Sequence, residues 1–147
     1  MIFETNKQRG NAGLSMAIAY FGSNGYIVSL PLNDTQDYDL IADDGEKLLK
    51  VQCKSTQQII NKDKGIYTVE LSSCGGTKGV RYKTIKDTNV DLVFVLCSDN
   101  TMYLIPKDKI VNVRGIRLYK HSEDISKYIP KTTRQNVLDT SKYIINI

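Results

Sequence analysis

With 147 residues, 41% hydrophobic and 24% charged, the chain has room for one domain with a real core and is too short for two ordinary ones. No stretch approaches the roughly 18 to 20 consecutive apolar residues that cross a bilayer, and Met1 to Gly10 is polar rather than signal-like, so a soluble, cytoplasmic protein without a membrane partner is expected. The formal charge of +4 and the pI near 8.9 suit a polyanionic partner without requiring one.

Cys53, Cys74 and Cys97 are widely spaced with no CxxC, and His121 is the single histidine, which argues against structural zinc. Cys53 and Cys97 lie in apolar strand-like runs and read as reduced core thiols, consistent with a reducing compartment. There is no internal repeat, low-complexity tract or Pro/Gly/Ser linker. Residues 1–147 therefore read as a single domain.

Leu14, Ala17, Ile18 and Phe21 recur at i, i+3, i+4 and i+7 and predict a helix from roughly Lys7 to Phe21, ended by Gly22 to Gly25. Tyr26 to Leu30 reads as a short strand closed by Pro31. Tyr38 to Ala42 and Lys47 to Lys54 are strand-like runs around Asp43-Asp44-Gly45-Glu46, whose Asp-Gly pair signals a hairpin. Ile66 to Leu71 is expected as a third strand of that group, followed by a glycine-rich basic loop from Ser72 to Lys86. Leu92 to Leu96 is a continuous apolar run, as in a strand covered on both faces, and Met102 to Ile105 is its expected hairpin partner. Beyond Pro106, Lys107 to Val111 and Ser122 to Ile129 suit short helices, and Val113 to Tyr119 a strand. This order predicts an α/β or α+β layer, a mixed sheet flanked by helices.

A two-residue turn at Asp44-Gly45 would set Asp39 opposite Lys50. Alternation then places Lys50, Gln52 and Lys54 on the face of Asp39, with Leu40, Val51 and Cys53 on the other. Asp39 and Gln52 become diagonal neighbours, close enough to share a hydrated divalent cation. Phosphodiester hydrolysis needs a cation against the phosphorane oxygens and a water made nucleophilic beside it. An aspartate and a second strand supply hard oxygens, and a lysine two residues on orients the water or stabilises the transition state.

Tyr38-Asp39-Leu40-Ile41 followed by Val51-Gln52-Cys53-Lys54 resembles the PD-(D/E)xK nuclease signature, with Tyr38 where proline is frequent and Gln52 in place of the usual carboxylate. The run from Thr5 to Thr56, Ser73-Cys74-Gly75-Gly76 and Met102-Tyr103-Leu104-Ile105-Pro106 are similar to the group I intron-associated homing endonucleases, a branch with a Q-x-K variant. The resemblance covers about residues 5–106 and leaves 107–147 as a C-terminal extension. It implies a restriction-endonuclease-like fold and cleavage of double-stranded DNA by a homo-oligomer, a dimer or tetramer, with Mg²⁺ or Mn²⁺. Asp39, Gln52 and Lys54 would be catalytic, and Asp39, Gln52 and the backbone carbonyl of Cys53 would hold the metal. The glutamate that relatives often carry on the first helix is missing from Gly10 to Ser15. Asn11 and Ser15 either contribute a polar contact in its place or are plain helix-surface residues, and Asp37 and Glu70 are other nearby carboxylates.

Lys7, Arg9, Lys78, Arg81, Lys83, Lys86, Arg114 and Arg117 are the candidate DNA contacts. Glycine and cation together suit a phosphate backbone, although each residue also reads as solvated surface. Three other functions fit the same residues: a Holliday-junction resolvase-like nuclease, a non-catalytic DNA-binding module descended from a nuclease, and an interaction domain with a coincidental motif.

Overall fold

In the computed structural model, which describes residues 4–72, 83–111, 114–128 and 137–147, the chain opens with helix α1 (Asn6–Ser23). Thr5 caps it: Thr5 Oγ1 accepts from the Gln8 N–H at 3.1 Å, and Gln8 Oε1 accepts from the Thr5 N–H at 3.0 Å. This reciprocal capping box satisfies two amides that the first turn leaves orphaned. The helix closes at Asn24, and Gly25 turns the chain at φ +83°, a conformation that costs glycine little.

The strands that follow are β1 (Ile27–Ser29), β2 (Leu40–Asp43), β3 (Leu48–Thr56), β4 (Ile59–Asn61), β5 (Ile66–Glu70), β6 (Leu92–Cys97), β7 (Met102–Pro106) and β8 (Gly115–Leu118). Helix α2 (Ser122–Tyr128) and a last short strand, β9 (Ile144–Ile145), complete the chain. Residues 107–109 form a single 3-10 turn, shorter than the helix expected to Val111. A six-stranded mixed sheet runs β1-β2-β3-β6-β7-β9, and a three-stranded sheet runs β4-β5-β8. Within the larger sheet β3 and β6 are parallel, and the other pairings are antiparallel.

The segment expected as a third strand beside the hairpin is instead the middle of the smaller sheet, where β5 pairs with β4 and β8. Both edges of β3 are already taken, by β2 and β6, so no ladder position is left for it. The sheets are tied where Thr56 Oγ1 donates to the Thr68 carbonyl at 2.6 Å.

β6 explains why the larger sheet is buried on both faces. Its Phe94 and Leu96 join Ala17 and Phe21 of α1 with Leu40, Ala42 and Val51. Val93, Val95 and Cys97 point the other way, into a core shared with Tyr67, Val69, Ile116 and Leu118 of the smaller sheet. A strand walled on both sides has no polar face to show, hence the unbroken apolar run. α1 sits close to β3 because Gly13 is buried against it: a Cβ there would overlap Ser55 Oγ and lie 3.3 Å from the Lys54 carbonyl oxygen. α2 packs through Ile125 on Ile66 and Tyr119 at the end of the smaller sheet. The result is the expected mixed sheet with flanking helices.

Candidate functional site

The β2–β3 hairpin is set by its turn. Asp43 Oδ1 accepts from the Gly45 N–H at 2.8 Å, and Asp44 Oδ1 accepts from the Glu46 and Lys47 N–H groups at 2.9 and 2.7 Å. Gly45 takes φ +91°. These bonds stabilise a four-residue loop between Asp43 and Leu48, where a two-residue turn at Asp44-Gly45 was expected. Ile41 rather than Asp39 therefore faces Lys50. The slip is two residues, and side chains repeat every two, so residues inside the ladder keep the faces alternation assigned to them. Asp39 stands just before the ladder, where Tyr38 and Leu40 pack into opposite cores and alternation no longer holds. Asp39 is therefore not paired with Lys50: it precedes the last ladder pair, Leu40 with Val51, and is tied to β3 through Val51 and Cys53.

Two bonds hold it there. The Asp39 N–H donates to the Val51 carbonyl at 2.8 Å, and Asp39 Oδ2 accepts from the Cys53 N–H at 2.6 Å. They grip Asp39 on either side of Gln52. In the parallel ladder Gln52 and Lys54 stand opposite Val93 and Val95, on the side of the core between the sheets, while Val51 turns toward α1 with Leu40. Asp39 is exposed as a residue, yet the protein packed around its carboxyl makes desolvation the largest influence on it and raises its pKa above the ordinary aspartate value, opposed by the Cys53 N–H and by the charge of Lys54. Lys50 reaches over the Tyr38 ring, its Nζ 5.8 Å from the centroid.

Gln52 is partly buried and asymmetric in its bonding. Its Nε2 donates to the Asp37 carbonyl at 3.2 Å, and its Oε1 is buried without a hydrogen-bond partner. Asp37 is held in turn, its two carboxylate oxygens accepting from Lys83 Nζ at 2.6 and 2.7 Å. That carboxylate is engaged by a cation of the protein and is poorly suited to replace a missing metal ligand. Glu70, the other carboxylate considered, is exposed on the smaller sheet and accepts from Ser72 Oγ at 3.0 Å.

The donor set has the chemistry of a hard-cation site. A carboxylate, an unpartnered amide oxygen and a strand carbonyl are all oxygens, which suits Mg²⁺ or Mn²⁺ and not a thiolate-bound metal. No cluster of three or more His, Cys, Asp or Glu occurs among the described residues, so a cation here would keep much of its water. A buried acceptor left unsatisfied is costly, and Gln52 Oε1 is such an acceptor. The residues fit the group. Burial raises the thiol pKa values of Cys53 and Cys97, as expected of thiols packed in a core.

The remaining candidates are dispersed. Asn11 and Ser15 are exposed on α1, whose buried positions are Gly13, Ala17 and Phe21, and the structure does not bond either of them to Asp39, Gln52 or Lys54. Lys7 is exposed, and Arg9 donates to Asn6 Oδ1 at 2.8 Å. Lys86 is exposed on the 3-10 turn Ile85–Asp87. Arg114 and Arg117 are exposed before and on β8, where Arg117 faces Thr68. Of the basic loop, Lys83 joins the site through Asp37, and Lys78 and Arg81 lie outside the described residues. Residue-by-residue reading missed the Lys83–Asp37 pair, because a contact spanning 46 positions leaves no periodic trace.

A family model described as PD-(D/E)XK endonuclease matches residues 4–135. Among solved structures the chain is similar to a bacterial homing endonuclease, I-Ssp6803I, with 24% identity and a TM-score of 0.62 over 95% of this chain and 87% of that one. It is also similar to Hjc, a Holliday junction resolvase from Archaeoglobus fulgidus, with 9% identity and a TM-score of 0.50 over 75% of this chain and 83% of that one. No curated protein matches it. At these identities the likenesses concern the fold, a mixed sheet flanked by helices.

Proposed function

The chain belongs to the PD-(D/E)XK endonuclease family, and from that premise we propose that it hydrolyses phosphodiester bonds in double-stranded DNA with a divalent metal, as an intron-associated homing endonuclease. The observation that carries the reading is the bond from the Cys53 N–H to Asp39 Oδ2, which gathers Asp39 against the strand bearing Gln52 and Lys54. The fold shared with a bacterial homing endonuclease supports the choice within the family.

Asp39, Gln52 Oε1 and the Cys53 carbonyl would hold Mg²⁺ or Mn²⁺. When bound, such a cation neutralises charge on the phosphate and makes nearby water more acidic. Asp39 carries the only negative charge of that set and supplies most of the attraction. Lys54, two residues beyond Gln52 on the same face, positions the attacking water and stabilises charge growing on the phosphate. Lys86, Arg114, Arg117 and Lys7 offer exposed cations for the flanking backbone. Cutting both strands most simply uses two copies of the site related by symmetry, so the working species is a homo-oligomer.

Incubation with a randomised duplex library and Mg²⁺ tests activity and specificity together. Discrete metal-dependent products are expected, and their absence across salt and metal conditions would refute the proposal. A second reading, favoured by the fold shared with the archaeal resolvase, is cleavage directed by DNA shape. Preference for four-way junctions over linear duplex would select it.

A further inference from the structure

We infer that Lys83 is a positioning residue for the proposed site, acting through Asp37 to hold the Gln52 amide with its oxygen available to a cation. The inference rests on the metal-dependent reading above.

A glutamine in a ligand position has a difficulty that a carboxylate lacks. Its two ends have nearly the same shape but opposite character, one an acceptor and the other a double donor. Turned the wrong way, it presents N–H groups to a cation and repels it. In this chain the choice is made by a neighbour: the Asp37 carbonyl can only accept, so the amide end facing it at 3.2 Å must be Nε2. Oε1 then lies on the other side, buried and unpartnered.

Asp37 lies in the polar stretch before β2 rather than in a strand, and the two-point contact with Lys83 ties it down at 2.6 and 2.7 Å. Charge-assisted bonds of this length are among the stronger ones proteins make. With 24% of the Asp37 side chain and 46% of the Lys83 side chain exposed, the pair sits at the surface, and neither residue belongs to a hydrophobic core. The chain of action runs from Lys83 to the Asp37 carboxylate, from the Asp37 backbone to Gln52 Nε2, and so to the orientation of Oε1.

The test uses Mn²⁺ alone as the probe, followed by calorimetric titration of the full chain. Lys83→Ala and Asp37→Asn are each expected to weaken Mn²⁺ binding about tenfold, the lower end of the effect of removing an orienting partner, with Lys83→Arg restoring most of it. In a Gln52→Glu background the same Lys83→Ala change is expected to alter affinity less than about twofold, because a carboxylate offers an oxygen whichever way it turns. Equal losses in the two backgrounds would mean that Lys83 only supports the fold or the local charge, and would overturn the inference. So would unchanged affinity in Lys83→Ala while Asp39→Ala abolishes binding, a result that leaves the metal reading standing. Unchanged Mn²⁺ affinity in Asp39→Ala would instead remove the metal reading, and the inference with it.

Discussion

The Asp39 carboxylate accepts the Cys53 backbone N–H at 2.6 Å, so an amide of the strand next door positions this carboxylate. Backbone so placed is hard to disturb by mutation, whereas the charge is easily removed. Asp39→Asn should therefore keep the fold and the bond to Cys53 while lowering cleavage by roughly 10³-fold, with Lys54→Ala losing about 10²- to 10³-fold, the scale seen when one electrostatic partner of a transition state is deleted. Circular dichroism and cleavage of a matched duplex check both; near-normal rates in either variant would refute the assigned roles.

The same carboxylate should cost the metal-free protein stability. Desolvation leads the influences on Asp39, and its pKa is raised from the ordinary 3.8. The folded state thus binds a proton more readily than the unfolded one. The resulting contribution is present below 3.8 and lost as pH rises through the raised value. Asp39→Asn should accordingly melt higher than the wild type near neutral pH without metal, with the gap closing below the ordinary aspartate range. Thermal melts across pH measure this, and a variant that melts lower at neutral pH would contradict it.

Helix α1 approaches β3 through Gly13, and a Cβ there would overlap the Ser55 hydroxyl. Ser55 Oγ is itself buried without a partner. Gly13→Ala alone should destabilise by about 1 kcal/mol, overpacking of about 2 kcal/mol set against a helix-propensity gain of about 1 kcal/mol. Adding Ser55→Ala removes the obstructing oxygen and leaves the 3.3 Å approach to the Lys54 carbonyl oxygen as the remaining close contact, so the double variant should recover most of the loss. Urea unfolding gives the answer, and additive losses would exclude the steric explanation.

Lys120 Nζ meets Asp99 Oδ2 at 2.6 Å, both side chains about one-third exposed. Burial by itself raises the Asp99 pKa, but bonds from Lys120 and Thr101 outweigh it and the net shift is downward from 3.8. A depressed carboxylate stabilises above its ordinary value and loses that contribution as pH falls through the lowered one. Lys120→Met should cost about 0.5 to 1 kcal/mol at pH 7, the range for a pair this exposed. The difference from wild type should shrink on acidification below 3.8. A pH-independent difference would assign the effect to packing of the lysine stem.

Much of the scaffold was legible because it depends on short-range pattern. The stripe Leu14, Ala17, Ile18 and Phe21 foretold α1 to within two residues at either end, and the unbroken apolar run at 92–96 foretold a strand walled on both faces. Gln52 and Lys54 were assigned to one face from alternation, a property that survives a two-residue slip of register. The place of Asp39 before the ladder, between Tyr38 and Leu40 that pack into opposite cores, is beyond what alternation determines. The slip itself was not legible, since a turn containing Asp-Gly closes in more than one way and the deciding bonds come from Asp43 and Asp44 side chains.

Periodicity and turn chemistry within this chain thus determine its helices and strands, the hairpin and which side chains share a face, because each depends on residues a few positions apart. Only the folded molecule decided that β5 leaves the hairpin's sheet, that the Asp39 carboxylate is held by the Cys53 N–H, and that Lys83 reaches Asp37. Those contacts join segments that are distant or irregular along the chain. Their selection rests on which edges remain open once β3 has paired on both sides, a competition for hydrogen bonds among strands that no local window contains.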